Sequence, residues 1–329
     1  MFHRAWEQHI IKRKKIKTVI KEAYINKISK EVSLITLFPP IKGFDDFIGT
    51  WVYQQEKTSI VDVGPAVTAQ SLIKALKHMG IQKLDYILLT HIHIDHAGGL
   101  CEVAEQFPDA LIVCHDGGIE HLADPARLWK GSVKTLGNTG IAYGEIKPVS
   151  QNRFLGAKQF LSETINAVIT PGHAPYHISY QTEKYLFPGE AGGICLSPGF
   201  KTDLKKEYMR PATPPRFFMD VYLKSLEKLI ALNPKTICYG HFGYKTDAVK
   251  RLKLHKEQLF FWEKIIQQEV KKGRNENIVE DCIQNLLEHD PLMAVFSEMT
   301  QDMQNREYGF LKNSVNGFLG YLKTIADKC

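Results

Sequence analysis

The chain has 329 residues, 44 % hydrophobic and 24 % charged, which are the values of a folded globular protein and not of a disordered one. No apolar run reaches the roughly 20 residues that a membrane-spanning helix needs, so none is expected. The net charge of +6 is local: residues 1–30 hold nine Lys/Arg against two Asp/Glu, the remainder is near −1, and no nucleic-acid groove is expected in the body of the protein.

Residues 1–28 show a helical period, with Ile16, Val19, Ile20, Ala23, Tyr24 and Ile28 on one face and lysines between them. A basic amphipathic helix is expected there, suited to packing on the domain or to contact with a membrane surface. Strands are expected at Ser33–Phe38, Phe47–Gln55 and Thr58–Val63, which are β-branched or aromatic and bounded by Pro, Gly and Asp. A helix should follow over 68–79, ended by Gly80. The six cysteines form no CxxC pair, and no apolar leader follows the early basic residues; a reducing, cytoplasmic setting is expected.

Four later apolar runs end alike. Tyr86–Leu89 leads into Thr90-His91-Ile92-His93, Ala167–Thr170 into Pro171-Gly172-His173, Tyr185–Phe187 into Pro188-Gly189-Glu190, and Thr236–Tyr239 into Gly240-His241. Turns at strand ends gather ligands on one edge of a sheet from segments far apart in sequence. His91, His93, Asp95 and His96 make the densest set, since neutral imidazoles and a carboxylate are the usual ligands of Zn²⁺ and similar ions. Ala97-Gly98-Gly99 should let the backbone pass close to a metal before a helix over 100–107.

The segment from Thr90 to Gly99 resembles the signature of the metallo-β-lactamase superfamily, nearest its glyoxalase II-like and lactonase-like branches. Asp62 in Val-Asp-Val-Gly, His173, Glu190 and His241 follow in the family's order, over about residues 32–243. The resemblance implies an α/β fold, a four-layer αββα sandwich, with two divalent metal ions at one edge; Zn²⁺ is expected, with Fe or Mn as alternatives. It implies His91, His93 and His173 as ligands of one ion, Asp95, His96 and His241 of the other, and Glu190, where the family usually has Asp, as the bridge. Asp62 is expected to hydrogen-bond a ligand or order its loop. Asp95 and His177 are expected to take part in catalysis, His177 from beside the substrate or behind a ligand. His115 and His121 are expected to be structural or exposed, and Tyr176 and Tyr244 are candidates to stabilise an oxyanion.

The expected domains are a basic helix over 1–30, a catalytic domain over 31–243 and a helical region over 244–329. In the last, helices are expected at 252–272 and 278–287, a third opened by Pro291, and a final one at 307–327 despite three glycines. The stretch 121–156 reads as an insertion. Residues 197–216, with four prolines and several basic residues, read as a lid or rim suited to a small anionic substrate. The implied reaction is hydrolysis of an ester, thioester or lactone by a metal-bound hydroxide, in keeping with the absence of a Gly-x-Ser-x-Gly elbow. The alternative is non-haem iron oxygen chemistry of the persulfide dioxygenase type, using His91, His173 and Glu190.

Overall fold

The computed structural model describes residues 23–196, 206–273 and 276–327. In chain order the strands are β1 (Tyr24–Lys27), β2 (Val32–Leu37), β3 (Ile48–Gln54), β4 (Thr58–Val61), β5 (Tyr86–Leu88), β6 (Leu111–Cys114), β7 (Phe154–Gly156), β8 (Asn166–Ile169), β9 (Ile178–Gln181), β10 (Tyr185–Phe187), β11 (Ile194–Leu196), β12 (Tyr208–Arg210), β13 (Thr236–Cys238) and β14 (Tyr244–Lys245). The α-helices are α1 (Ala69–His78), α2 (Ile94–Ala97), α3 (Leu100–Gln106), α4 (Ile119–Ala123), α5 (Ala126–Leu136), α6 (Asn138–Tyr143), α7 (Met219–Ala231), α8 (Ala248–Lys271), α9 (Ile278–His289) and α10 (Gln301–Ala326).

Strand alternation explains the layers. Along β2, Val32 and Leu34 enter one apolar cluster while Ile35 and Leu37 enter another, and all six residues are buried. The same split places Tyr86 and Leu88 opposite Ile87, Tyr185 and Phe187 opposite Leu186, and Cys238 opposite Ile237. Both faces of these strands are therefore covered, as uninterrupted apolar strands require. One cluster lies between two sheets, and the other lies beneath the helices on their outer faces. The first sheet runs β1-β2-β3-β4-β5-β6-β7, antiparallel to β4 and parallel from there on. The second runs β14-β13-β10-β9-β8, and β11 pairs with β12 separately. The parallel pairs β4–β5 and β5–β6 need crossovers, which α1 and α3 supply.

Several sequence expectations need correction. The expected N-terminal helix lies outside the described residues up to position 22, and residues 24–27 form an edge strand antiparallel to β2. Alternation at Ile25 and pairing with an open sheet edge outweigh a helical period carried by the preceding residues. Pro291 opens only a three-residue 3₁₀ turn, Pro291–Met293. The expected lid is in part a built strand: its first nine residues lie outside the described ones, but β12 and Pro211–Thr213 are buried. Gly98 passes close to the Pro65–Ala66 backbone, and a Cβ there would meet the Ala66 amide nitrogen at 2.8 Å.

The C-terminal helices do not stand apart. Leu252, Trp262, Ile283, Leu286, Leu311 and Phe318 are fully buried in the same apolar cluster as Leu72 and Ile87 of the sandwich. Gly317 marks where α10 docks: a Cβ there would overlap the Thr213 carbonyl oxygen. No helix among the described residues is long and apolar enough to cross a membrane.

Candidate metal centre

The ends of β5, β8, β10 and β13 point to one edge of the sandwich, and their loops bring the seven ligand candidates together. His91, His93, His173 and Glu190 form one group and Asp95, His96 and His241 a second, each with its ligand atoms within 4.8 Å of one another. His93 Nδ1 lies 3.0 Å from His91 Nε2 and 3.1 Å from His173 Nε2, and His96 Nε2 lies 3.3 Å from His241 Nε2. Glu190 stands between the groups: Oε2 is 2.8 Å from His173 Nε2, 3.4 Å from His91 Nε2 and 3.6 Å from His96 Nε2, and Oε1 is 3.8 Å from His241 Nε2. Asp95 Oδ2 is 3.7 Å from His241 Nε2 and 3.8 Å from His96 Nε2.

Four of the imidazoles are held from behind by their outer nitrogen. Nδ1 of His91 meets Thr90 Oγ1 at 3.0 Å, that of His96 meets Asp62 Oδ2 at 2.8 Å, that of His173 meets the Ala212 carbonyl at 2.9 Å, and that of His241 meets the Phe47 carbonyl at 3.1 Å. An Nδ1–H donated to an oxygen leaves Nε2 with a lone pair aimed inward, which is how a ligating histidine is prepared. Asp62 does more than hold one ring. Its Oδ1 also accepts from the Thr90 amide at 2.8 Å, and Thr90 Oγ1 donates to Oδ2 at 2.8 Å. Asp62 adopts a left-handed φ of 58°, a strain repaid by these bonds.

Burial keeps three of the ligand imidazoles neutral, with His96 the exception. Burial, with the neighbouring His173, pushes His93 down to about 4; burial alone does most of the work in pushing His241 down to about 3 and His91 well below its usual value. Burial also disfavours charge on His96, but Asp62 and Asp95 outweigh it and raise this residue well above the usual range. Glu190 is held ionised well below the carboxylate range, against burial, chiefly by His173 and then by His91 and His96. His91 and His241, neutral and with Nδ1–H donated outward, turn Nε2 lone pairs toward the centre, and His96 would release its proton to an ion bound there. A tetrahedral ion bound at about 2.0–2.1 Å places adjacent nitrogens about 3.3 Å apart, so the donor set and its spacing fit a divalent metal.

His177 is fully buried and does not face the cavity. Its Nδ1 meets Thr170 Oγ1 at 3.0 Å and its Nε2 accepts from the Glu190 amide at 3.2 Å, so of the two expected places, beside the substrate or behind a ligand, it takes the one behind Glu190. Tyr222 completes the hold by donating to the Glu190 carbonyl at 2.7 Å. His115 and His121 flank the Tyr176 ring, each at 5.5 Å between centroids; of the three only His121 lines the cavity. Tyr244 lies in β14 and does not reach it.

Over the ligands opens a cavity of about 550 Å³. Asp95, Glu190, His93, His173 and His241 form part of its floor, while α5 and α10 contribute walls. From α5, Arg127, Leu128, Gly131, Ser132, Thr135 and Leu136 form one helical stripe that faces the cavity, and no α5 residue is fully buried. Phe310 and Ser314 of α10, with Tyr143 and Arg210, were not singled out from sequence. No motif marks them; the basic residues of 197–216 were the only available signal for Arg210.

A family model described as the metallo-beta-lactamase superfamily matches residues 47–241. A metallo-beta-lactamase fold-containing protein of Sulfurisphaera tokodaii is 29 % identical over 194 residues, which are 56 % of this chain and 70 % of that protein. A hydroxyacylglutathione hydrolase of Buchnera aphidicola is 27 % identical over 192 residues, 58 % of this chain and 60 % of that one. The chain thus spans less than two thirds of that enzyme. The crystal structure of an archaeal metallo-beta-lactamase superfamily protein from Sulfolobus tokodaii superposes with a TM-score of 0.62 at 21 % identity, covering 88 % of this chain and 99 % of that one. With this fold, this ligand edge and a family match across most of the sandwich, the chain belongs to the metallo-beta-lactamase superfamily and is a metallo-hydrolase of that family.

Proposed function

We propose that the protein hydrolyses an ester, thioester or lactone that carries an anionic group, using two divalent ions, Zn²⁺ in the first instance. The observation that carries this reading is the paired donor set with Glu190 between its halves. His91, His93 and His173 would hold one ion, Asp95, His96 and His241 the other, and Glu190 would span both. Ions bound there lower the pKa of water toward neutrality and polarise a carbonyl oxygen. The chain's own residues supply orientation: Asp62, Thr90 and the Ala212 and Phe47 carbonyls fix the rings, and His177 with Tyr222 fixes the Glu190 backbone. The name of the Buchnera relative supports hydrolysis of an acyl–thiol bond as the reaction type.

The cavity supports the substrate class. Leu128, Leu136, Tyr143 and Phe310 give it apolar walls, and the only acids that line it among the described residues, Asp95 and Glu190, belong to the ligand set. Arg127 and Arg216 are exposed at its lining and make no ion pair among the described residues, whereas Arg210 is neutralised by Glu307. Free guanidiniums at the mouth of such a cavity suit a carboxylate or phosphate group on the substrate.

The test is a panel of esters, thioesters, lactones and phosphodiesters with Zn²⁺-reconstituted protein, run beside oxygen uptake with Fe²⁺. Chelator-sensitive turnover of an acyl substrate, restored by Zn²⁺, is expected. Oxygen uptake with no hydrolysis would replace this reading by the iron oxygenase alternative. Glu190→Asp sharpens it: a site built around the longer acid loses one ion, whereas a tolerated variant keeps both.

A further inference from the structure

His241 is the last ligand in the chain and stands in the turn Gly240-His241-Phe242-Gly243, with Phe242 at a left-handed φ of 75°. The turn is closed on its own hairpin by the Tyr239 amide donating to the Gly243 carbonyl at 2.8 Å, but the imidazole itself is held from the first sheet. His241 forms an isolated antiparallel bridge with Ile48, and the Phe242 amide donates to the Phe47 carbonyl at 3.3 Å, the oxygen that His241 Nδ1 also uses. The Phe47 ring lies flat on the imidazole, 4.0 Å between centroids and 8° between planes. Phe47 thus sets the ring by an edge contact and a face contact together.

Phe47 is in turn held by α10. The Arg306 guanidinium lies 4.7 Å from the Phe47 centroid, 4.9 Å from Phe242 and 5.8 Å from Phe44, and donates to the Gly43 carbonyl. Phe310, one turn further, stacks on Phe47 at 5.3 Å and 25°. Arg306 gives Nε–H to Glu307 Oε1 at 2.9 Å, and the other Glu307 oxygen accepts from Arg210. All three charged groups are buried, Glu307 completely. A buried Arg–Glu–Arg set is no efficient stabiliser, because desolvation cancels most of its attraction and apolar residues of like volume do as well. What such a set does provide is a fixed direction for each guanidinium plane.

We infer that Arg306 and Glu307 of α10 are positioning residues for the metal centre, fixing His241 through Phe47 so that the Asp95–His96–His241 group binds its ion only when α10 is docked. This rests on the reading of His241 as a ligand. The other group does not depend on Arg306 or Phe47: His91 is held by Thr90, and the Ala212 carbonyl that orients His173 is tied to α10 by a separate route, through Ser314 to Pro211 and Thr213. Contacts that orient a metal-binding histidine are worth roughly 10–100-fold in affinity.

The experiment is a Zn²⁺ titration against a competing chelator on the full chain, with folding followed by circular dichroism. His241→Ala identifies the ion that His241 holds. Arg306→Met is expected to weaken that ion by roughly 10–100-fold and leave the other unchanged. Phe47→Leu, which removes the ring from His241 but keeps α10 intact, should do the same and serves if Arg306→Met fails to fold. Phe318→Leu, on α10 but packed against Phe217 and Trp262, should leave both affinities unchanged. Both ions held at wild-type affinity in folded Arg306→Met or Phe47→Leu would overturn the inference, as would an equal loss in Phe318→Leu. Wild-type binding of no ion, or no change in His241→Ala, would instead bring down the ligand reading beneath it.

Discussion

The ligand loops and the C-terminal helices serve the same site by different physics. In the loops, four of the five ligand rings are fixed by a polar partner of their own, and Thr90, Asp62, His91 and His96 form one network on the first sheet. The helices act by mass and shape: α10 buries Leu311, Val315 and Phe318, lines the cavity with Phe310 and Ser314, and places Arg306 behind Phe47. Short-range hydrogen bonds give the site its chemistry; long-range packing gives it a wall and an orientation. Damage to the two regions should therefore differ in kind: loss of metal with the fold kept in one, loss of fold or alignment in the other.

The largest effect should follow from His91→Ala. The sandwich core does not depend on this ring, so the circular dichroism should be unchanged. Hydrolysis should fall by more than the roughly 10–100-fold typical of residues behind the ligands. Metal analysis alongside the rate decides it; full metal content with wild-type turnover would remove His91 from the ligand set. Asp62→Ala should come next, with a loss of roughly 10–100-fold in metal affinity, since Thr90 and His96 lose their shared acceptor together.

In the helical region the expected loss is of stability. Glu307→Gln leaves two buried guanidiniums without their anion, a change that costs about 3–5 kcal/mol when a buried pair is broken. Its pH dependence has a defined sign. Burial opposes ionisation of Glu307, but Arg210 and Arg306 outweigh it and hold the carboxyl at about 2, below its usual 4.5. The stabilisation is therefore complete above about pH 4.5 and is lost as the pH falls toward 2. Urea melts of wild type and Glu307→Gln should differ most near pH 7 and converge in acid; a gap independent of pH would assign the effect to packing.

The same contrast explains what was legible in the sequence. The strands at 32–37, 48–54 and 86–88, the helix at 69–78 and all seven ligand candidates could be placed, because alternation and His-x-His-x-Asp-His are local patterns. Arg210, Tyr143, Phe310, Arg306 and Glu307 could not. Each matters only through partners about 100 residues away or more, as Arg210 does to Glu307 and Arg306 to Gly43, and no spacing encodes that. His177 was found, but its direction was not, since only the tertiary contact with the Glu190 amide shows that it faces away from substrate. The strand at 24–27 was hidden because its pairing partner, not its own pattern, decides its conformation.

The smallest effects lie within α10 itself, where three glycines in one helix separate propensity from packing. Sequence reading treated all three as weakening the helix equally, since glycine in a helix interior costs about 0.5–1 kcal/mol relative to alanine. The structure divides them. Gly309 and Gly320 are exposed, and an added Cβ would meet nothing within 4 Å. Gly317 is buried against Thr213 and Pro214, where a Cβ would overlap the Thr213 carbonyl oxygen and only a shift of the helix or of the cavity wall could make room. Gly309→Ala and Gly320→Ala should each therefore raise stability by about 0.5–1 kcal/mol and leave metal affinity and turnover unchanged. Gly317→Ala should lower stability despite the better propensity. Because Thr213 lines the cavity beside Ala212, whose carbonyl holds His173, it should also raise KM or weaken metal binding. Thermal melts of the three variants make the comparison directly. Equal stabilisation at all three positions would mean that α10 does not press on the cavity wall, and would undo the claim that packing from this helix shapes the site.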